Sequence, residues 1–239
     1  MTWDWQFFLQ DIGDGTTYLH WMMSAWGWTL SVSLLALVVA LVVGSLVGIL
    51  RTVPSRGWQL AGNAWTELFR NIPLLVQIFL WYHVIPGIFV SLRAVPSFVL
   101  VVLALGFFTS ARISEQVKAG IQSLPRGQRY AGLAMGLTLP QTYRYVLLPM
   151  AFRIILPPLS SEFLNIIKNS SVALTIGLIE LTAAARSMSE FSFQVFEAFT
   201  GATLIYIIIN IIVVSGMRWL ERRVAVPGFI SLGQPAAAH

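Results

Sequence analysis

The sequence of 239 residues contains no cysteine and carries little charge. Without cysteine, disulfide bonds, thiol catalysis and cysteine-ligated metal sites are excluded. The three histidines, His20, His83 and His239, are scattered and show no metal-binding spacing. Charged residues make up 10% of the chain, whereas a soluble domain usually has about 25%. Together with 56% hydrophobic residues and a mean hydropathy of +0.75, this composition indicates a membrane protein.

Signatures of catalysis are also missing. The chain has no Gly-x-x-x-x-Gly-Lys-Ser/Thr phosphate loop, so it has no ATP site of that kind, and no nucleophile has an obvious base partner. The net charge of +5 is confined to a few basic loops, which does not suggest nucleic-acid binding. We expect a chain that is not an enzyme and holds no cofactor. The N-terminus lacks a basic n-region, so no cleavable signal peptide is predicted.

Five apolar runs are long enough to cross a bilayer, which takes about 20 apolar residues. The runs cover residues 22–50, 58–86, 97–116, 154–181 and 198–217. Pro73 is expected to kink the second run or to start a new helical turn, and Gly44 and Gly48 would let the first helix approach a neighbour closely. The sequence therefore predicts an all-α membrane protein with five transmembrane helices. Its predicted divisions are a periplasmic arm (1–18), a transmembrane domain (19–223) and a flexible cytoplasmic tail (224–239).

The charges flanking the first and last runs predict the orientation. Asp11 and Asp14 precede the first run, and Arg51 and Arg56 follow it. The last run ends in an arginine cluster, namely Arg218, Arg222 and Arg223. Because positive charge collects on the cytoplasmic side, the N-terminus is predicted outside and the C-terminus inside. Opposite sides require an odd number of spans, and five agrees with the apolar runs.

Residues 124–158 form the only long basic and polar stretch, with arginines but no acidic residue. The stretch is expected to form two short helices separated by a break, the first over about 128–135. Ala131 and Gly132 give that helix a shallow surface that another protein could approach, and Gly136 suits a helix stop. With five spans this stretch lies in the cytoplasm, where we expect it to be a docking loop for a soluble motor.

The same stretch resembles the EAA loop of ABC importer permeases, whose pattern runs Gly-Gln-x-Glu-Ala-Ala-x-x-x-Gly and later ends in a Leu-Pro pair. Gly127-Gln128, Ala131, Gly136 and Leu148-Pro149 match the pattern, whereas Tyr130 replaces its Glu and Gly132 its second Ala. The resemblance implies a coupling helix between the third and fourth spans, in a loop of about 124–150. The implied ATPase-coupling residues are Gly127, Gln128, Arg129, Tyr130, Ala131, Gly132 and Gly136.

The fourth run, with SSEFLNIIKNSSVAL, resembles the polar amino-acid branch of that family, and residues 124–174 look most like its glutamate/aspartate subgroup. The resemblance implies a multi-pass permease subunit of the bacterial inner membrane that works by alternating access. The implied partners are an ATPase dimer, a second permease subunit (identical or homologous), a periplasmic solute-binding protein, the amino-acid substrate and membrane lipid. ATP and Mg would be bound by the ATPase, not by this chain.

A polar stripe runs along the fourth span. At about 100° per residue, Glu162, Asn165, Asn169 and Ala173 share one side of a helix. An ionisable residue at mid-depth costs roughly 2.5–3.5 kcal/mol, so it should face the bundle interior with a partner. By the family resemblance, Glu162 holds the substrate's α-amino group. The alternative is a structural ion pair or a hydrogen-bonded carboxylate.

Two basic residues complete the candidate substrate site. Arg112 could bind a substrate carboxylate bidentately, or it could pair with Glu115 one turn away. Lys168 could be a ligand, snorkel to the interface, or pair with Glu162. Two other functions stay open from the sequence: an ion-coupled secondary transporter, although no internal repeat is found, and an intramembrane enzyme using Glu162 and Lys168.

Overall fold

Helices make up most of the chain in the computed structural model, which describes residues 3–13 and 15–224. A short antiparallel hairpin, Asp11–Gly13 with Thr16–Thr17, precedes the first long helix. The helices are α1 (Tyr18–Leu50), α2 (Arg56–Asn71), α3 (Leu74–Ile88), α4 (Ser97–Gln122), α5 (Arg126–Ala134), α6 (Leu139–Ile176), α7 (Leu181–Ser192) and α8 (Val195–Val224). Asp14 and all but the first residue of the predicted tail lie outside the described residues.

Four of these helices, α1, α4, α6 and α8, are long and apolar enough to cross a membrane. Helices α2 and α3 pass the same test only together, as a pair bent by 102° at the break between them. The all-α membrane fold predicted from the apolar runs is therefore confirmed. The predicted number of five spans holds if the bent pair crosses the membrane as one.

The bend between α2 and α3 lies at Pro73, where a kink or a new helical turn was expected. Helix α2 ends two residues earlier, so its last carbonyls have no donor from a following turn. The fully buried side chain of Gln77 supplies one, because its Nε2 donates to the carbonyls of Phe69 (2.8 Å) and Ile72 (3.0 Å). Gln77 is thus a structural residue of the break.

Helix α6 begins earlier than the apolar run predicts. Instead of a second short helix in the loop, the chain from Leu139 is helical as far as Ile176. A π-helical turn, Tyr143–Leu147, comes just before Pro149, and another, Leu80–Val84, comes just before Pro86. Such local adjustments re-satisfy backbone groups around prolines in membrane helices. The predicted loop of about 124–150 is therefore too long, and the predicted start of the fourth run at residue 154 is too late.

Glycines bring α1 and α4 into backbone contact, as the Gly44/Gly48 spacing predicts. A Cβ atom on Gly48 would lie 2.6 Å from the Cβ of Val117 and 2.9 Å from the carbonyl oxygen of Ser114. Gly44 meets Ser110 and Ile113 in the same way, at 2.8 Å. This packing fixes how far α4 is shifted along the axis of α1. It therefore also fixes the position of the side chains in the C-terminal half of α4.

Helix α7 was not predicted from the sequence. Its buried side is apolar with helical spacing, formed by Leu181, Ala184, Ala185 and Met188. Glu180 caps its first turn by accepting hydrogen bonds from the backbone N–H groups of Thr182 (2.9 Å) and Ala183 (2.7 Å). The N-terminal arm packs on the same cluster through the fully buried Phe7.

Candidate functional site

The centre of the candidate site is an ion pair between α4 and α6. Arg112 Nε lies 2.9 Å from Glu162 Oε2. The contact is an ion pair, and Glu162 Oε2 has no hydrogen-bond partner among the described residues. The Glu162 side chain is only 5% exposed, whereas that of Arg112 is 46% exposed. One partner is therefore fixed in the bundle and the other has room to move.

The position of Glu162 follows from the buried face of α6. Ala151, Ile155, Leu159, Glu162 and Ile166 are all buried, and their spacing of three or four residues places them on one side of the helix. That side packs against α4. A Cβ atom on Gly120 of α4 would collide with Ile155, so only a glycine lets the two helices approach this closely. This close packing places Glu162 beside Arg112.

Gln116 is a third member of the cluster. Its Nε2 donates to Glu162 Oε1 at 3.0 Å, so the carboxylate contacts two residues of α4. Arg112 and Gln116 are four residues apart and lie on the same face of their helix. Gln116 was not predicted as a site residue, although its i, i+4 spacing from Arg112 was a usable signal.

The remaining predicted substrate residues lie further along α6. Asn165 and Asn169 are half-buried, and Lys168 is exposed. Within residues 3–13 and 15–224, Lys168 forms no ion pair, which excludes the alternative that it pairs with Glu162. The α-helical part ends at Asn169 and a 3-10 helix follows from Ser170, so the periodicity behind the predicted stripe applies only as far as Asn169, and Ala173 lies buried in the 3-10 segment.

Glu115 belongs to a different cluster, which excludes the expected Arg112–Glu115 pair. Its Oε1 lies 2.8 Å from Arg51 Nη2 and 3.6 Å from Arg70 Nη1. Arg51 is buried and also donates to Asn63 Oδ1 (2.8 Å) and Ser114 Oγ (3.1 Å). This cluster joins α1, α2 and α4. Since two arginines already neutralise Glu115, Arg112 is left to neutralise Glu162.

The predicted coupling residues occupy α5 and the turn that follows it. The helix covers Arg126–Ala134, close to the expected 128–135. It ends where predicted, because Gly136 has φ +83°. Gly136 N–H donates to Leu133 O (3.0 Å) and Leu137 N–H to Gly132 O (3.2 Å), the two hydrogen bonds of a Schellman motif.

One side of α5 packs on the bundle and the other is free in this chain. Gly132 is buried, and a Cβ atom there would lie 2.8 Å from Thr142 Cγ2. Gln128 and Arg129 are half-buried, and Gly127, Ala131 and Gly136 are exposed. Apolar side chains make up much of the free side: Tyr130, Leu133 and Met135 are 67%, 39% and 73% exposed.

An open cavity of about 400 Å³ lies elsewhere, on α8, lined by Val195, Phe196, Phe199, Thr200 and Thr203. It has no charged lining residue and cannot neutralise the charges of an amino acid. Across residues 3–13 and 15–224, no three His, Asp or Glu side chains are grouped to hold a metal ion.

Known proteins resemble this chain over most of its length. Residues 40–226 match the family described as "Binding-protein-dependent transport system inner membrane component". The glutamate/aspartate import permease protein GltJ of Escherichia coli (strain K12) is 48% identical, over 95% of this chain and 96% of GltJ. The probable glutamine ABC transporter permease protein GlnM of Bacillus subtilis (strain 168) is 35% identical, over 82% of this chain and 89% of GlnM.

A solved structure gives the same result for the fold. The crystal structure of an amino acid ABC transporter with histidines matches with a TM-score of 0.78 and 28% identity, covering 93% of this chain and 100% of that one. The family that the sequence resemblance predicts is thereby confirmed. This chain belongs to the inner-membrane components of binding-protein-dependent transport systems, as a permease subunit of an ABC importer and not an enzyme.

Proposed function

We propose that this chain is the transmembrane subunit of an ATP-driven importer of glutamate and aspartate. The name of GltJ supports the substrate class. The observation that carries the proposal is the Arg112–Glu162 ion pair, which joins a buried carboxylate to a half-exposed guanidinium at 2.9 Å. Such a pair matches the two kinds of charge on an amino acid.

The substrate would bind by exchanging ion pairs. Its ammonium group replaces the guanidinium beside Glu162, and the released Arg112 binds a substrate carboxylate in the bidentate geometry that guanidinium favours. Every charge keeps a partner, so the large cost of an isolated charge in the membrane is avoided. An acidic amino acid offers a second carboxylate, for which Lys168, with Asn165 and Asn169, is the proposed ligand set.

Coupling to ATP hydrolysis would pass through α5. In the proposed topology the N-terminus is periplasmic, and α5 and the C-terminus are cytoplasmic. The exposed Tyr130, Leu133 and Met135 would contact the ATPase, with Tyr130 giving an apolar contact where the family pattern has a glutamate. The ATPase must bind α5 differently in its two states, because a partner with equal affinity for both cannot shift the equilibrium.

The proposed assembly has two permease subunits, identical or homologous, an ATPase dimer that binds ATP and Mg, and a periplasmic solute-binding protein. The ATPase dimer closes on ATP and moves α5. This movement opens the substrate pathway between the helices toward the periplasm, and ATP hydrolysis returns the transporter to its starting state. Because the chain belongs to a family that works with separate partners, a secondary transporter and an intramembrane enzyme are disfavoured.

Uptake by the assembled transporter in proteoliposomes tests this proposal. Labelled aspartate should accumulate only when ATP is supplied on the ATPase side, and vanadate should stop it. Excess glutamate should compete, whereas excess glutamine or histidine should not. Uptake without the ATPase, or equal competition by neutral and basic amino acids, would contradict the proposal.

A further inference from the structure

The side-chain amide of Gln116 has one end bound and the other free. Its Nε2 donates to Glu162 Oε1, while its Oε1 is buried and has no hydrogen-bond partner in the part of the chain that the structure describes. The orientation of the amide has a chemical cause. An ionised carboxylate only accepts hydrogen bonds, so it selects the NH₂ end and turns the carbonyl oxygen away.

Glu162 Oε2 is a second buried acceptor without a hydrogen-bond partner among the described residues. Arg112 is close enough to neutralise it but donates no hydrogen bond to it. Among the described residues, these two contacting side chains therefore present two buried acceptor atoms without hydrogen-bond donors, one a carbonyl oxygen and one a carboxylate oxygen. Buried acceptors in folded proteins normally have a donor, so this combination indicates that a ligand supplies one.

An ammonium group suits these two acceptors best. It has three donors and no acceptor, and its positive charge suits a carboxylate. A carboxylate ligand would be repelled by Glu162 and could not donate. A guanidinium is already present as Arg112, whose half-exposed side chain can leave Oε2 to the ligand.

We propose that Gln116 is a further substrate-contacting residue, whose carbonyl oxygen binds the α-ammonium group together with Glu162. The inference rests on the proposed function, since it takes the Arg112–Glu162 pair as the substrate site. Gln116 then distinguishes amino acids from dicarboxylic acids of similar size. Succinate can bind Arg112, but it has no hydrogen-bond donor in the place of the ammonium group and leaves Gln116 unsatisfied.

The test compares aspartate with succinate on the purified complex of permease and ATPase. Gln116→Met keeps the length of the side chain and removes its hydrogen-bonding groups. We expect aspartate binding to weaken at least tenfold and the inhibition constant of succinate to stay within about twofold, so that selectivity falls. Gln122→Met, an exposed position on the same helix, is the matched control and should leave both ligands unaffected.

Two outcomes overturn the role of Gln116. Either aspartate binding is unchanged in Gln116→Met, or aspartate and succinate lose affinity equally, as expected for a structural residue. Retained succinate binding also shows that the variant is folded. Glu162→Gln separates this inference from the proposed function. If Glu162→Gln abolishes aspartate binding while Gln116→Met keeps the selectivity, only the role of Gln116 is wrong, whereas unchanged binding in Glu162→Gln removes the site itself.

Discussion

Glu162→Gln is expected to weaken aspartate binding to the permease complex by about 30-fold or more, and uptake should fall with it. The variant removes the charge that neutralises Arg112 and, in the proposed site, the charge that holds the substrate ammonium. Truncating one member of a buried charge pair costs about 2–5 kcal/mol, and each 1.4 kcal/mol is tenfold in affinity. Binding of labelled aspartate by the complex in detergent measures the effect.

Glu190→Gln is the matched control. Glu190 also pairs with an arginine at 2.9 Å, Arg186, but both side chains are about 60% exposed. An exposed pair contributes about 0–1 kcal/mol, so aspartate binding should change little. Co-purification with the ATPase must be normal for both variants. A Glu162→Gln complex that assembles and binds aspartate like the wild type would exclude Glu162 from the substrate site.

Gly136→Val is expected to reduce substrate-stimulated ATP hydrolysis at least tenfold without weakening aspartate binding. Gly136 has φ +83° at the end of α5. A β-branched residue there carries strain of about 1–3 kcal/mol, which the turn can relieve only by giving up its Schellman hydrogen bonds. Helix α5 would then change its angle to α6, and the surface of Tyr130, Leu133 and Met135 would no longer fit the ATPase.

The control for this variant is Gly57→Val, at an exposed glycine of α2. Gly57 has no positive φ, and a Cβ atom there would meet nothing within 4 Å. The substrate-stimulated ATPase activity of a complex that contains Gly57→Val should remain near that of the wild-type complex. Normal stimulation and normal co-purification in Gly136→Val would count against α5 as the coupling element.

Much of the fold follows from local signals in the sequence. The apolar runs predict the spanning helices, Pro73 predicts the break in the second span, and Gly136 predicts the end of α5. Each signal acts within one or two helical turns. The start of α6 was predicted too late, because a π-helical turn before Pro149 lets the helix run on through this proline. The boundary depends on how the backbone adjusts, which residue types alone do not specify.

The partners in the candidate site were harder to predict. Helical periodicity places Glu162 on the buried face of α6, but it does not specify which turn of α4 that face contacts. Arg112 could have paired with Glu115 on its own helix. The choice is decided by Arg51, which comes from the end of α1 and occupies Glu115. That arrangement depends on glycine-mediated packing between helices far apart in the sequence, at Gly48 and Gly120.

Cysteine labelling tests most directly whether α5 faces the cytoplasm, where an ATPase can bind it. The chain has no cysteine of its own, so a single introduced cysteine is its only labelling site. Met135→Cys on the α5 turn and Leu9→Cys on the N-terminal arm are suitable, since these positions are 73% and 68% exposed. In intact spheroplasts, a membrane-impermeant maleimide should label Leu9→Cys and not Met135→Cys. Met135→Cys should react only after permeabilisation, and less when the ATPase is bound; labelling of Met135→Cys from the periplasm in intact spheroplasts would contradict the account.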